Sequence, residues 1–141
     1  MRPPSQVWSQ RTRHDGHMRC PCTSGDVYDS CCGPVLAGTT KAPTAERLMR
    51  SRFTAFALGD APYLLTSWHP STRPARLDLD PDVRWTRLDI LDVVGGGPFD
   101  SDGVVEFEAF FREAGAPGSM RERSRFVRED RSWTYLDGRG V

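Results

Sequence analysis

Charge of one sign, lysine and long apolar runs are what this chain lacks. Lys+Arg and Asp+Glu each number 19, so no global field draws it onto nucleic acid or anionic lipid, and any basic contact must be a local patch. Lys41 is the single lysine, a compositional bias given no functional weight. No stretch approaches the roughly 20 apolar residues of a membrane span, and residues 1–19 lack the apolar core of a secretory signal. No membrane contact is expected, and the expected location is the cytoplasm. Cysteine is absent outside positions 20–32. The 141 residues, 38% of them hydrophobic, suffice for one ordinary core or for a smaller one carrying a metal appendage.

What is present is concentrated in one run. Cys20 and Cys22 lie one residue apart, and after eight residues come the adjacent Cys31 and Cys32. That spacing can wrap four sulfurs around one tetrahedral metal ion, so a zinc knob is the leading reading. A disulfide or redox pair, or plain structural thiols, are the alternatives; a reducing compartment disfavours the disulfide, and a Cys31 to Cys32 bridge would be strained. Four thiolates close the coordination shell, so the ion is expected to be structural and not catalytic. Gly25 permits a tight turn, Ser24 can bond nearby amides, and Tyr28 can lay its ring over a site too small to have a core.

Residues 1–19 carry Pro3, Pro4 and scattered arginines without an apolar period. They read as a disordered or non-native leader in which Gly16, His17 and Met18 fit a tag remnant or a start at Met18. His14 and His17 read as solvated side chains, not extra ligands. The knob spans 20–34, and Gly33, Pro34 and Gly38 predict a linker over 35–43. Thr44 as N-cap, Glu46 in the first turn and Gly59 after the last predict a helix over 44–58, with Leu48, Met49, Phe53 and Phe56 on its apolar stripe. Arg47, Arg50 and Ser51 fall away from that stripe, and Arg52 sits beside it. Asp60 and Pro62 predict a second helix over 61–68, broken by His69 and Pro70. Four strands then follow at 83–94, 104–111, 120–128 and 132–137, the first with a bulge. This is an α+β arrangement, helices on one face of a curled antiparallel sheet, and such a sheet commonly forms a cone with a pocket at its open end.

The run Cys20 to Gly33 resembles the SEC-C motif. Together with Thr44, Ala45, Glu46 and Leu48 to Arg52, with Trp68 to Arg73, with Val105, Glu106 and Phe107, and with Glu122 to Phe126, it resembles the uncharacterised bacterial YchJ family. The resemblance implies an N-terminal SEC-C zinc motif before a nuclear transport factor 2-like (cystatin-like) cone over 44–138, and Zn2+ on Cys20, Cys22, Cys31 and Cys32. It supplies no activity. A similar segment ends the translocase SecA, where it contacts a chaperone and the ribosome. Thr23 stands where the motif has Gly, Arg121 where His is usual, and Arg131 where a hairpin Gly is usual.

Two functional readings follow. The first is a non-enzymatic binding or adaptor protein whose knob docks a protein or ribonucleoprotein partner. The second is an enzyme or receptor for a small anionic ligand in the cone pocket, using Arg50, Arg52, Trp68, His69 and Arg73. His69 is the best acid or base candidate by residue type. Its plainer role is a loop contact, with Trp68 filling the core and Arg73 bonding carbonyls. A redox or zinc-sensing role for Cys31 and Cys32 is a third possibility. Arg121, Arg123 and Arg125 share a strand face, but Glu106 and Glu108 on the neighbouring strand are expected to neutralise them.

Overall fold

Thr44 carries out the capping its residue type allows. In the computed structural model, which describes residues 17–141, its hydroxyl accepts from the Arg47 amide at 3.1 Å and starts a helix over Ala45–Leu58. Gly59, at φ 76°, ends it in the left-handed conformation. This helix is α2, because a short α1 over Cys32–Leu36 precedes it in the stretch read as knob end and linker. A third helix, α3 over Ala61–Thr66, is capped by the Asp60 carboxylate on the Tyr63 amide. It stops two residues short of the expected Trp68. Ser67 turns its hydroxyl back onto the Tyr63 carbonyl, and His69 precedes a proline and is biased away from helical geometry.

Four strands form one antiparallel sheet in sequence order, β1 Val83–Gly95, β2 Asp102–Glu113, β3 Ala116–Glu129 and β4 Ser132–Gly140. β1 carries two register shifts, at Thr86 and Leu91, which account for its imperfect alternation. β3 begins at Ala116, earlier than the composition suggests, since the β2–β3 turn needs only Ala114 and Gly115, both at positive φ. Pro117 is tolerated there. It sits in the second pair beyond a two-residue turn, so its nitrogen points away from β2, and β4 pairs no farther than Glu122.

Alternation along the strands sorts charge from core. Leu88, Val105, Phe107, Ala109, Phe126 and Trp133 turn inward against Leu48, Met49 and Phe53 of α2. On the outer face the arginine ladder is neutralised: Arg121 meets Glu108 at 3.4 Å, Arg123 meets Glu106 and Asp92 at 3.1 Å each, and Arg125 meets Asp137. Both sheet edges are covered along part of their length. On the β4 side Ser67 and His69 exchange backbone hydrogen bonds with Tyr135. On the β1 side the Thr23 hydroxyl accepts from the Leu88 amide at 3.1 Å and reaches the Leu88 carbonyl at 3.0 Å.

Of the leader expected over 1–19, residues 1–16, His14 included, lie outside the described residues. His17 is exposed. Met18 and Arg19 already belong to the knob, through the Tyr28 amide on the Met18 carbonyl and a bridge from Arg19 to Val27.

The β3–β4 hairpin turns on Asp130 at φ 51° and Arg131 at φ 66°, the geometry that favours glycine at its second position. Arg131→Gly should therefore stabilise the fold by about 0.5–1 kcal/mol, the left-handed strain removed exceeding the extra unfolded-state entropy. Thermal unfolding should shift upward by a few degrees. A lower midpoint would refute the strain.

Candidate metal centre and cone cavity

Cys20, Cys22, Cys31 and Cys32 are each 0–2% exposed, and their sulfurs all lie within 4.8 Å of one another. The Cys22–Cys31 and Cys31–Cys32 separations are 3.6 and 4.0 Å. A tetrahedral thiolate shell with metal–sulfur bonds of about 2.3 Å requires sulfurs about 3.8 Å apart, so the donor set fits such an ion. Without a cation the group must share protons: hydrogen bonding with its neighbours lowers the Cys22 thiol, and the same sharing raises Cys20 and Cys32. Four buried thiolates need a positive centre.

The local sequence explains how they meet. Cys22 lies within a turn closed by the Thr23 amide on the Cys20 carbonyl at 3.0 Å, with Thr23 at φ 59°, and Cys31 joins a 3-10 turn over Tyr28–Ser30 to α1, whose first residue is Cys32. Gly33 is required by close approach, since a Cβ there would stand 2.8 Å from the Tyr28 carbonyl oxygen and 3.0 Å from its ring. Tyr28 packs against the core from that position.

A second layer of contacts comes from α2. Arg47 donates to the Cys31 sulfur at 3.6 Å and to the Cys31 carbonyl at 3.4 Å. Arg50 donates to the Cys22 carbonyl at 3.2 Å while paired with Glu46 at 3.1 Å. Thr54 lies 3.6 Å from the Cys20 sulfur, and Ser24 lies 3.2 Å from that of Cys31. Cationic and hydroxyl donors offset the net negative charge of a divalent ion on four thiolates. These contacts also show why Thr54 is fully buried, whereas Ser51, equally buried, bonds to the Leu48 carbonyl at 2.7 Å and lies 2.6 Å from the Tyr63 hydroxyl of α3. The knob covers the flank of α2 that composition assigns to solvent.

The residues expected to share one pocket are separated. Arg52 and Trp68 line a cavity of about 280 Å³ between α2 and the inner face of the sheet, with Phe53, Trp85, Met120 and Glu122 among the other walls. Arg50 faces the knob instead. His69 and Arg73 belong to the turn after α3: Arg73 donates to the Trp68 carbonyl through Nε at 3.1 Å and Nη2 at 2.8 Å. The His69 Nδ1 accepts from the Ser71 amide at 3.1 Å and also meets the Ser71 hydroxyl, while Nε2 meets the Glu129 carboxylate. This Ser–His–Glu chain has the connectivity of an activated hydroxyl. It opens on none of the cavities described, its Glu129 side chain is 66% exposed, and its serine belongs to the same turn as the histidine, so its geometry is that of a turn fastening.

Glu122 is the cavity residue that sequence reasoning missed. Its carboxylate accepts from Ser124 at 2.5 Å and from the Tyr135 hydroxyl at 3.3 Å. Burial, with the nearby Glu122 charge adding to it, pushes the Tyr135 hydroxyl up to about 12. The available signal was the position of Glu122 at the inner side of β3 among arginines of the outer side, a break in the alternation.

Comparison with known proteins places this geometry. Residues 44–138 match the family model of the YchJ middle, nuclear transport factor 2-like domain. A UPF0225 protein of Streptomyces coelicolor is 56% identical over 119 residues, which cover 84% of this chain and 93% of that one. A UPF0225 protein of Corynebacterium efficiens is 52% identical over 125 residues, covering 89% and 95%. Among solved structures, a SEC-C motif containing protein from Rhodopseudomonas palustris superposes with a TM-score of 0.78 at 38% identity, over 88% of this chain and 99% of that one. One from Psychrobacter arcticus gives 0.73 at 26%, over 88% and 83%. The chain belongs to the YchJ family, and the α+β cone with its N-terminal cysteine knob is that family's fold. Among the described residues no helix is long and apolar enough to cross a membrane.

The Thr23 strap can be tested alone. Thr23→Val keeps the β-branched backbone strain and removes the hydroxyl, so it should cost about 1 kcal/mol in denaturant unfolding. Hydrogen exchange at the Leu88 amide should quicken while metal content stays unchanged. Unaltered Leu88 exchange would show that the hydroxyl does not join knob to sheet.

Proposed function

We propose that this member of the YchJ family is a non-catalytic binding protein in which one structural Zn2+ on Cys20, Cys22, Cys31 and Cys32 locks the knob onto the cone, and in which the cone cavity, not the knob, is the binding site. The observation that carries the reading is the inward orientation of the four-sulfur cluster, which belongs to the same buried group as Leu48, Phe53 and Leu88. Four thiolates leave no coordination position for a substrate or an activated water, which supports a structural ion. Zinc is favoured over other cations by the all-sulfur tetrahedral set. The hydrogen-bonding groups that a docking knob would offer, the Thr23 hydroxyl and the Cys22 and Cys31 carbonyls, accept from β1 and α2, which leaves residues 18–19, 25–26 and 29–30 as the knob's outer surface.

The enzyme reading draws no support from His69, which does not line the cavity with Arg52 and Trp68. A cytoplasmic location accords with reduced, metal-bound thiols.

Metal analysis of protein purified without a chelator should return about one zinc per chain. Its removal should abolish cooperative unfolding of the whole domain and not merely loosen residues 18–36, because the cysteines share the core of the sheet. Intact disulfides without zinc would overturn the metal assignment, and a metal-free protein with an unchanged unfolding midpoint would overturn the locking role. A macromolecule that is captured by the wild type and lost on substitution of Asp26 and Asp29, with zinc retained, would return the binding role to the knob.

A further inference from the structure

Arg52 is 3% exposed, yet among the described residues no carboxylate lies within 4.0 Å of its guanidinium. One nitrogen, Nη1, is spent on the Leu64 carbonyl at 2.8 Å and the Ser67 hydroxyl at 2.7 Å. Nε and Nη2 have no hydrogen-bond partner among the described residues. The rest of its stabilisation comes from aromatic faces, with Cζ 5.0 Å from the Trp68 ring centre and 4.6 Å from that of Tyr135. Burial pulls this guanidinium down to about 10, still charged at neutral pH. A buried charge is ordinarily neutralised by a partner. Among the described residues the carboxylate that acts on it is Glu122, across the same cavity and beyond ion-pair distance.

The surroundings restrict what could supply a direct partner. Arg52 opens on a cavity lined mainly by apolar side chains, among them Phe53, Phe56, Trp85, Phe107 and Met120. The Trp85 ring packs edge-on against Phe53 and Phe111, with centres 6.1 and 5.2 Å apart. Trp68, another wall residue, contributes its ring face, and its indole N–H is buried without an acceptor among the described residues. Glu122 places one negative charge on the same cavity. That charge disfavours a dianion such as phosphate, and the scarcity of other donors does the same. Met120, 37% exposed, marks the rim, on the stretch of β3 that β4 leaves uncovered.

We propose that the cavity is a receptor site for a small planar monocarboxylate, its carboxylate held by Nε and Nη2 of Arg52 and its ring slotted among Phe53, Trp85 and Met120. A bidentate guanidinium–carboxylate pair in an apolar slot supplies both orientation and discrimination. The volume suits a one-ring or compact two-ring acid, since it lies at or below the lower end of ordinary ligand pockets of about 300 Å³. The proposal rests on the reading of the chain as a non-catalytic binding protein.

Benzoate and indole-3-carboxylate, titrated into the zinc-loaded full chain, should perturb the Trp68 and Trp85 indole resonances and raise the unfolding midpoint. Benzamide and benzyl alcohol should bind roughly tenfold or more weakly. Arg52→Met should lose the carboxylate preference. Because Arg52 also holds Leu64 and Ser67, that variant risks misfolding, and Ala109→Leu provides the independent test: it adds bulk to a cavity wall, leaves Arg52 in place and should abolish binding with zinc content and cooperative unfolding retained. Equal binding of neutral analogues, competition by inorganic phosphate at similar concentration, undiminished binding in Ala109→Leu, or no indole perturbation at millimolar acid would each overturn the assignment. Recovery of chemically altered ligand would instead overturn the non-catalytic reading while leaving the site intact, and zinc stoichiometry is read separately from both.

Discussion

The contact on which the remaining structure depends is the one between the four-sulfur cluster and the helix Ala45–Leu58. A lone amphipathic helix on a sheet buries one flank and wets the other. This helix is enclosed on both, by Val105, Phe107 and Trp133 on the sheet side and by the cysteine knob on the opposite side. Arg47, Arg50 and Thr54 project from the second flank onto backbone and sulfur of the knob. A metal held by those sulfurs would thereby couple its own binding free energy to the packing of the entire cone and not only to a short loop.

The same helix lines the cavity with the side it turns toward the sheet, away from the knob. Arg52 lies on the side of the helix turned away from the knob, beyond the reach of the outer ladder of carboxylates, and Glu122 acts on it only from across the cavity. Burial and two aromatic faces hold it in place, and among the described residues no carboxylate pairs with it directly, Glu122 acting only from across the cavity. Knob and cavity are therefore joined by a single rigid element. Fixing the helix against the cysteines also fixes the direction in which the guanidinium points, and that is the preorganisation a small receptor site needs.

The parts of this protein legible from residues alone share a feature: each depends on neighbours close in sequence or on strict alternation. Thr44 and Gly59 mark the long helix, since capping is settled within three or four residues. Val105, Phe107 and Ala109 mark an inward face, and the pairing of Glu106 and Glu108 with arginines of the next strand follows from period two. The burial of Ser51 and Thr54 was not legible, because polarity assigns them to water and only distant segments cover them, Tyr63 of α3 over Ser51 and the knob over Thr54. Nor was the division of the five expected pocket residues. Arg50 and Arg52 are two positions apart, which on a helix turns them about 200° from one another, toward sulfur and toward cavity.

By itself the amino-acid sequence determined the four clustered cysteine positions, the order of helices and strands and the membership of the cone family, because spacing, capping and alternation are local properties. Only the tertiary structure decided that the knob faces inward, that His69 fastens a turn outside the cavity, and that Glu122 joins Arg52 and Trp68 around a common space. Those outcomes depend on which distant surfaces meet, and long-range packing brings Thr23 to Leu88 and His69 to Glu129 across separations of 65 and 60 residues.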